Sequence, residues 1–302
     1  MSHRLRSLPV RGEPRLPPWI REKKLRLLDL HEMKSRMRRG SLSTVCEEAR
    51  CPNRTECFER RTATFLIAGD VCTRACGFCH ITSGRPASLD PEEPARLVRA
   101  ANEMGIRHIV VTSVDRDDLA DGGSAHWAAV VRALKEDDGA RTVEALTPDF
   151  QGNALQIDRV ADSGPDVYNH NVETVPRLYD TVRPKSRFGR SVDLLARVKE
   201  RHPAMTTKSG LMLGLGEEDE EVVDVFRALR AAGVDVVTVG QYLRPSAWNL
   251  PVVEYATPER FASLEARGME LGFSAVFSGP FVRSSYRAEE FAPKKDAAPL
   301  TF

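Results

Sequence analysis

Six cysteines carry the chemistry that this sequence offers, and they fall into two groups of three. Cysteines at such short spacings are typical metal ligands. Iron–sulfur clusters normally take four thiolates, so a local group of three indicates that one iron remains open. An open metal position is typical of a catalytic site rather than a structural one. The upstream group is Cys46, Cys51 and Cys57, and the second is Cys72, Cys76 and Cys79, directly after the apolar run 65–68.

Other uses of the second group remain open on the sequence alone. The segment Cys76-Gly-Phe-Cys79-His80 matches both the CxxCH attachment site of c-type haem and a thioredoxin-like CxxC. Haem attachment requires export, and the N-terminus lacks the apolar region of a signal peptide. A redox CxxC leaves Cys72 and the upstream group unexplained. Structural zinc on three cysteines and His80 is the stronger alternative, although the adjacent Cys79 and His80 are poorly placed to bind one tetrahedral ion. Disulfides need an oxidising compartment, which nothing in the sequence indicates.

The spacing CxxxCxxC, with Phe78 before the last cysteine, resembles the signature loop of the radical S-adenosylmethionine (SAM) superfamily. This resemblance implies a four-iron cluster on Cys72, Cys76 and Cys79, whose open iron chelates the amino and carboxylate groups of SAM. It also implies that one electron from the cluster cleaves the sulfonium to a 5′-deoxyadenosyl radical.

The upstream CxxxxCxxxxxC group and the RSSY motif at 283–286 resemble, more narrowly, the lipoyl synthase family. In that family these motifs bind an auxiliary four-iron cluster, which implies Cys46, Cys51, Cys57 and Ser285 as its ligands here. The implied activity is insertion of two sulfur atoms, at C6 and C8, into an octanoyl chain on a lysine of a carrier protein. The auxiliary cluster is consumed as the sulfur donor, which makes Ser285 a catalytic residue together with the three cysteines of the radical loop.

The resemblance also implies partners. These are octanoylated lipoyl carrier domains, namely E2 subunits of 2-oxoacid dehydrogenases and the glycine cleavage H protein, and an electron donor such as flavodoxin or ferredoxin. Two alternative functions stay open. One is another sulfur-inserting radical enzyme, either biotin-synthase-like or a methylthiotransferase. A methylthiotransferase that acts on RNA would be expected to carry a separate basic domain. The other is a zinc-stapled scaffold that binds protein.

Composition limits the remaining classes. The 302 residues are 41% hydrophobic, enough for one large α/β barrel or two ordinary domains. No stretch reaches the roughly 18 apolar residues of a membrane helix, so we expect a soluble, cytoplasmic protein without a membrane role. The net charge of +1 argues against a nucleic-acid binder. Residues 1–39 carry a local charge of +8, which either steers an acidic protein partner or is a solvated arm.

The elements that must position these cysteines follow a regular alternation from residue 62 onward. Short apolar runs alternate with helical patterns, which predicts right-handed βαβ units and a parallel sheet. We predict an α/β fold, a partial (β/α)6 TIM-type barrel at 62–277, with an N-terminal extension at 1–61 and a C-terminal tail at 278–302. The predicted strands are 62–68, 108–112, 142–146, 167–171, 210–215 and 234–239, with a further strand-like segment at 273–277; the predicted helices are 19–39, 92–104, 125–136, 155–161, 192–201, 218–232 and 259–271.

Barrels of this type build their active sites at the C-terminal ends of the strands. The radical loop follows the first predicted strand, which agrees with this rule. The fourth predicted strand continues into polar residues, and alternation places Asn169, Asn171 and Glu173 on one face, where a cofactor with amine, carboxylate and hydroxyl groups would satisfy them. His170 then faces the opposite side, as a histidine of the core.

The fifth predicted strand resembles the GxIxGxxE motif of the superfamily. Its residues Gly210, Met212 and Gly214 are therefore expected near SAM, with glycine allowing close backbone approach to the adenine. Phe78 is expected in the same cofactor environment by the resemblance.

Overall fold

The computed structural model describes residues 14–21, 43–44, 62–139, 141–285 and 288–290. Of the helix predicted at 19–39, only the first turn falls within these ranges, as helix α1 (Pro18–Arg21). None of the helices in the described ranges combines the length and apolar character that a membrane span requires.

The strands and helices alternate along the described chain, which confirms the predicted α/β class. The remaining helices are α2 (Glu93–Glu103), α3 (Ser124–Asp137), α4 (Ala154–Ala161), α5 (Tyr179–Val182), α6 (Phe188–Arg201), α7 (Asp219–Ala231) and α8 (Pro258–Glu270). The strands are β1 (Ser43–Thr44), β2 (Thr62–Ile67), β3 (Val71–Cys72), β4 (Thr82–Ser83), β5 (His108–Ser113), β6 (Thr142–Leu146), β7 (Val167–Asn169), β8 (Thr206–Leu213), β9 (Val236–Gln241) and β10 (Ala275–Gly279).

One sheet carries the fold. Its strand order is β1-β2-β5-β6-β7-β8-β9-β10, and every pairing is parallel except that of β1 with β2. Helices join successive parallel strands, as crossover connections require. In this order β1 and β10 stand at opposite ends of the described sheet, so the barrel is a partial one. The short pair β3-β4 forms a separate parallel ladder beside it.

The core lies between the sheet and its helices because both surfaces are apolar there. On α6 the fully buried positions Leu194, Leu195 and Val198 recur at helical spacing and face the sheet. Burying each such side chain stabilises the fold by roughly 1.5–3 kcal/mol. Strands buried on both faces explain the nearly continuous apolar runs of the sequence.

Side-chain caps fix some of the helix starts in the described chain, those of α4 and α8 among them. The Asn153 side chain accepts from the backbone N–H groups of Leu155 and Gln156, which starts α4. Thr257 accepts from the N–H of Arg260 at the start of α8, where Pro258 occupies the first turn. These caps set where each loop ends, and therefore how much chain lies at the C-terminal ends of the strands.

The largest difference from the prediction is at β8, where polar side chains are buried inside the barrel. β8 begins at Thr206 instead of residue 210, while β7 ends at Asn169 instead of residue 171 and β9 and β10 each lie two residues later than predicted. Lys208, on β8, is fully buried, and its Nζ lies 3.1 Å from both carboxylate oxygens of Glu144 on β6. Asn169 donates to the same carboxylate at 2.7 Å. An apolar pattern cannot reveal strand positions that are stabilised by a buried ion pair.

Candidate active site at the mouth of the barrel

The radical loop, residues 72–79, lies at the C-terminal ends of the parallel strands. It leaves β2 through the short strand β3 and is fastened to neighbouring loops by backbone hydrogen bonds. Thr73 N donates to Asp115 O at 3.1 Å, in the segment after β5, and Gly77 N donates to Val182 O at 2.9 Å, at the end of α5. The loop therefore spans the mouth of the barrel, where the architecture positions an active site.

The segment after β9 also holds the radical loop in place. This contact was not predicted from the sequence. The Asn249 side-chain amide donates to the carbonyl of Cys79 at 2.7 Å and to that of Gly77 at 3.3 Å. Leu250 N donates to the Gly77 carbonyl at 2.9 Å. No local pattern indicates this role for Asn249, because the two segments meet only when the sheet curls.

The thiols of this loop are half-buried and unpaired in disulfides. Burial raises the pKa of Cys76 to about 12 and that of Cys79 to about 11. The pKa of Cys72 is raised too, by burial and by the neighbouring Asp115 carboxylate. A raised pKa removes the thiolate that disulfide exchange needs, which argues against the thioredoxin-like interpretation. Iron at the sulfurs would displace these protons, because metal binding and thiol deprotonation are linked.

Backbone N–H groups already point at one of the sulfurs. Cys72 Sγ accepts from Arg74 N at 3.4 Å and from Asp115 N at 3.3 Å. Such donors are the groups that tune the potential of iron–sulfur clusters. Among the described residues, no three His, Cys, Asp or Glu side chains converge as a single ion requires.

Buried polar groups face this loop from the segment after β7. Asn171 Nδ2 donates to Glu173 Oε1 at 3.0 Å, while Asn171 Oδ1 is buried without a partner among the described residues. Glu173 is half-buried, and loss of solvent around its carboxyl group raises the pKa of that group. Its backbone adopts φ +66° and still forms a bridge with Leu211 on β8. A half-buried carboxyl and a buried amide oxygen that lacks a partner in the described chain fit the amine and hydroxyl groups of a cofactor such as SAM.

Arg183 completes this polar set and was missed in the sequence. Its Nη1 donates to the Asn171 carbonyl at 2.8 Å, its guanidinium lies 5.8 Å from the ring centre of Tyr179, and its Nε is buried without a partner in the described chain. The positive charge of Arg183 lowers the pKa of Cys76 and that of Glu173, and so opposes the increase that burial causes in each. A buried guanidinium whose Nε–H has no partner in the described chain fits a carboxylate such as that of SAM. Arg183 precedes a proline in an irregular segment, so no periodicity marks it.

The other residues expected near SAM have different surroundings. Asn169 is fully enclosed and bonded to Glu144, deeper in the barrel than Asn171. His170 points the other way, as alternation predicts, and is buried against Thr147 O and Ser191 Oγ.

The glycines of the fifth predicted strand have protein neighbours. A Cβ on Gly210 would approach Asn171 Oδ1 to 3.0 Å, and one on Gly214, at φ +107°, would meet the Glu254 carbonyl at 2.7 Å. Glu217, the last residue of the motif, accepts from the backbone N–H groups of Gly214 and Leu215, which closes the turn after β8. These glycines therefore let the mouth of the barrel pack tightly, whatever they offer a ligand.

Phe78 and Met212 pack against the same apolar cluster, which is separate from the main core. Both side chains are half-buried. The cluster consists of Val182, Leu215, Tyr242 and Val252.

The tail returns to the same mouth after β10. Asn171 Nδ2 donates to Ser284 Oγ at 2.5 Å, which places Ser285 one residue from the polar set. Gly240 on β9 makes this path possible, because a Cβ there would overlap the Val282 carbonyl. Cys46, Cys51 and Cys57, the other ligands expected for the auxiliary cluster, lie outside the described residues.

Comparison with known proteins gives consistent results. The family model of the radical SAM superfamily matches residues 66–240. The chain is 52% identical over 280 residues to the lipoyl synthase of Rubrobacter xylanophilus, covering 93% of this chain and 87% of that protein. It is 53% identical over 277 residues to the lipoyl synthase of Caldanaerobacter subterraneus subsp. tengcongensis, covering 91% and 96% respectively.

Solved structures agree at the level of the fold. The FeFe-hydrogenase maturase HydG of Carboxydothermus hydrogenoformans aligns with a TM-score of 0.53 at 15% identity, covering 83% of this chain and 72% of that one. Methylornithine synthase aligns with a TM-score of 0.54 at 16% identity, covering 70% and 63%. At such low identity the similarity extends to the barrel architecture alone.

Proposed function

The chain belongs to the lipoyl synthases of the radical SAM superfamily, and from this membership we propose which residues carry each part of the reaction. It is a sulfur-inserting enzyme that uses SAM and two four-iron clusters, and it acts on lipoyl carrier domains.

The radical cluster is held by Cys72, Cys76 and Cys79 in our proposal. When bound, this cluster and SAM supply the radical that removes hydrogen from the octanoyl chain. The protein's part is to orient the SAM groups: Arg183 would bind the carboxylate, and Glu173 would accept an N–H of the amino group. Donation to the Glu173 carboxylate favours its ionised form, which opposes the effect of burial on its pKa. This assignment is supported by the Nε of Arg183, which is buried and has no partner among the described residues.

The remaining residues expected near SAM have supporting roles in this proposal. Asn171 Oδ1 receives a hydroxyl of the ribose, and Phe78 and Met212 line the site from the apolar side. Gly210 and Gly214 allow the neighbouring strands and loops to approach the cofactor. Asn169 does not contact SAM in this proposal. Its side-chain amide donates to Glu144 and holds that carboxylate inside the barrel.

The auxiliary cluster is held by Cys46, Cys51, Cys57 and Ser285. A serine alkoxide is a more labile ligand than a thiolate, which suits a cluster that must give up iron and sulfur. The hydrogen bond from Asn171 to Ser284 supports this assignment, because it joins the tail to the residues that face the radical loop. It is also the single observation that carries the proposal: the sulfur donor and the radical source must reach the same carbon. The chain would then divide into an auxiliary extension at 1–61, the barrel at 62–277 and the serine-bearing tail at 278–302.

The finer partners are also part of the proposal. The octanoyl-lysine is carried by E2 subunits of 2-oxoacid dehydrogenases or by the glycine cleavage H protein, and electrons come from flavodoxin or ferredoxin. The reaction takes place in the cytoplasm, where thiolates and clusters stay reduced.

Anaerobic turnover of an octanoyl-lysyl peptide with SAM and a reductant tests the assignment. The reconstituted enzyme is expected to add two sulfur atoms to the peptide, as measured by mass spectrometry, with formation of 5′-deoxyadenosine. Cys72→Ser is expected to abolish both products. Ser285→Ala is expected to retain most 5′-deoxyadenosine formation and to lose sulfur insertion at least tenfold.

Ser274→Ala serves as the control, because Ser274 is exposed and precedes β10, at the opposite end of this strand from the tail. This variant is expected to insert both sulfur atoms. If Ser285→Ala inserts sulfur at the wild-type rate, Ser285 is not a ligand of the auxiliary cluster. A second variant, Ser285→Cys, tests whether a labile ligand is needed. If the cysteine variant completes the second insertion as well as wild type, lability at that ligand is unimportant.

A further inference from the structure

One charged side chain of the radical loop remains unexplained by the proposed reaction. Arg74 stands between the first two cysteines of the loop, yet only 3% of its surface is exposed. Long cationic side chains are almost never buried to this degree unless they are paired. Its partners therefore indicate what it does.

The guanidinium of Arg74 is bound by three different loops at the mouth of the barrel. Its Nε and Nη2 form a fork on Asp117, at 2.7 and 2.8 Å, in the loop after β5. The same Nη2 lies 2.7 Å from Asp149 Oδ1, after β6, and Nη1 lies 3.3 Å from both Asp115 Oδ1 and Ser186 Oγ. Forked, charge-assisted hydrogen bonds of this kind fix both the position and the angle of a guanidinium.

The backbone of the same residue reaches the cluster ligand. Arg74 N and Asp115 N both donate to Cys72 Sγ, so the two residues joined by the guanidinium also supply the two N–H groups at that sulfur. The Arg74 carbonyl is held in turn by Ser83 Oγ at 2.8 Å. Moving the side chain would therefore move the donors to the sulfur.

The network survives in part without Arg74, which separates its role from that of a simple structural support. Asp149 keeps Arg190, whose Nη1 lies 3.0 Å from Oδ2, and Asp117 keeps the Gln151 side-chain amide at 3.1 Å. The two loops after β5 and β6 thus retain partners of their own when the arginine is replaced.

We propose that Arg74 is a positioning residue for the radical cluster: its fork on Asp117 and Asp149 fixes the N–H donors to Cys72 and thereby sets the reduction potential. This inference rests on the proposed assignment of the cluster to the loop. Replacing Arg74 removes a positive charge beside three carboxylates and loosens the N–H···S hydrogen bonds. Both changes disfavour the reduced cluster, so the potential falls.

The test uses the full chain with both clusters reconstituted anaerobically. Arg74→Gln and Arg74→Lys are compared with Arg141→Gln. Arg141 is equally buried, at 3% exposed, and is bound by Asp137 at 2.9 Å and Asn102 at 2.5 Å, but it precedes β6 at the opposite end of the sheet. The midpoint potential of the cluster whose electron paramagnetic resonance spectrum responds to SAM is measured by redox titration. The rate of 5′-deoxyadenosine formation per loaded cluster is measured beside it.

Arg74→Gln is expected to lower the midpoint potential and to slow 5′-deoxyadenosine formation at least tenfold, while Arg141→Gln matches wild type in both. Arg74→Lys keeps the positive charge but cannot form the forked hydrogen bonds to Asp117. This variant is expected to slow 5′-deoxyadenosine formation and to shift the midpoint potential less than Arg74→Gln does. Wild-type values in Arg74→Gln or Arg74→Lys, or an equal shift in Arg141→Gln, would overturn the inference. A wild-type protein without a SAM-responsive cluster would instead overturn the proposed function.

Discussion

At the scale of single residues, burial determines the chemistry of the polar groups along and after β7. Asn171 and Arg183 are buried near the cysteine loop and each keeps a polar atom without a partner in the described chain, whereas His170 is buried and fully bonded. Unpaired buried atoms are costly and indicate a ligand, while satisfied ones indicate structure. Neighbouring residues of one segment therefore have opposite roles.

The acid sensitivity of the fold provides a test of the environment of His170. Burial, with help from the charges of Arg183 and Arg74, lowers the pKa of His170 to about 4, and the Asp149 carboxylate opposes this only in part. The unfolded chain, with a histidine pKa of about 6.5, binds one proton more between those two values. Stability from the neutral ring is therefore fully present above about pH 6.5 and is lost as the pH falls towards 4.

His170→Asn keeps an amide that can donate to the Thr147 carbonyl but cannot be protonated. Between pH 7 and pH 4 the wild-type protein is expected to lose about 3 kcal/mol more unfolding free energy than this variant. Urea unfolding of the anaerobic apoprotein at a series of pH values measures the difference. Parallel pH profiles for the two proteins would contradict a depressed pKa at His170.

At the scale of elements, the crossing of the tail over β9 decides where Ser284 and Ser285 lie. The tail passes over Gly240, where the Val282 carbonyl fills the space of a side chain. A hydrogen-bonded strand cannot retreat from such a contact without breaking its ladder, so any added atom must displace the tail.

Gly240→Ala is therefore expected to displace residues 280–285 while β9 remains paired. We expect a loss of about 1–3 kcal/mol in unfolding free energy, as for other overpacked sites. In turnover assays sulfur insertion should fall at least tenfold, with 5′-deoxyadenosine formation much less affected. Gly189→Ala is the matched control, because a Cβ there meets nothing within 4 Å. Equal behaviour of the two variants would show that the crossing does not position the tail.

At the scale of the whole molecule, a buried ion pair inside the barrel joins β6 and β8, the two strands that flank β7. Lys208 and Glu144 are both fully enclosed, and Asn169 donates to the same carboxylate. Such a pair contributes little net stability relative to apolar residues, but removing one partner leaves a buried charge. The barrel interior is therefore sensitive to single changes and more tolerant of paired ones.

Lys208→Met is expected to cost about 3–5 kcal/mol of unfolding free energy, and the double variant with Glu144→Met is expected to recover more than half of that loss. Urea midpoints of the two variants measure this. The exposed fork between Arg177 and Glu221, at 2.7 Å, provides the comparison, and Arg177→Gln should leave the midpoint near that of wild type. A Lys208 variant as stable as the Arg177 variant would rule out a buried charge.

The sequence by itself determined the parts of this protein that depend on near neighbours. The cysteine spacing at 72–79, the alternation of strands and helices and the orientation of His170 away from Asn169 and Asn171 were all predicted, and the α/β fold and the family are confirmed. Each rests on a local regularity: ligand spacing, hydrophobic period or the alternation of a strand. The assignments of Ser285 and of the three upstream cysteines stay predictions.

Only the tertiary structure decided which charges meet. Arg74 binds partners 43, 75 and 112 residues away, and Lys208 meets Glu144 across 64 residues. In the sequence these are ordinary charged side chains, which are most often solvated. They become buried pairs because the parallel strands bring their C-terminal ends and their inner faces together, and no local pattern encodes that convergence.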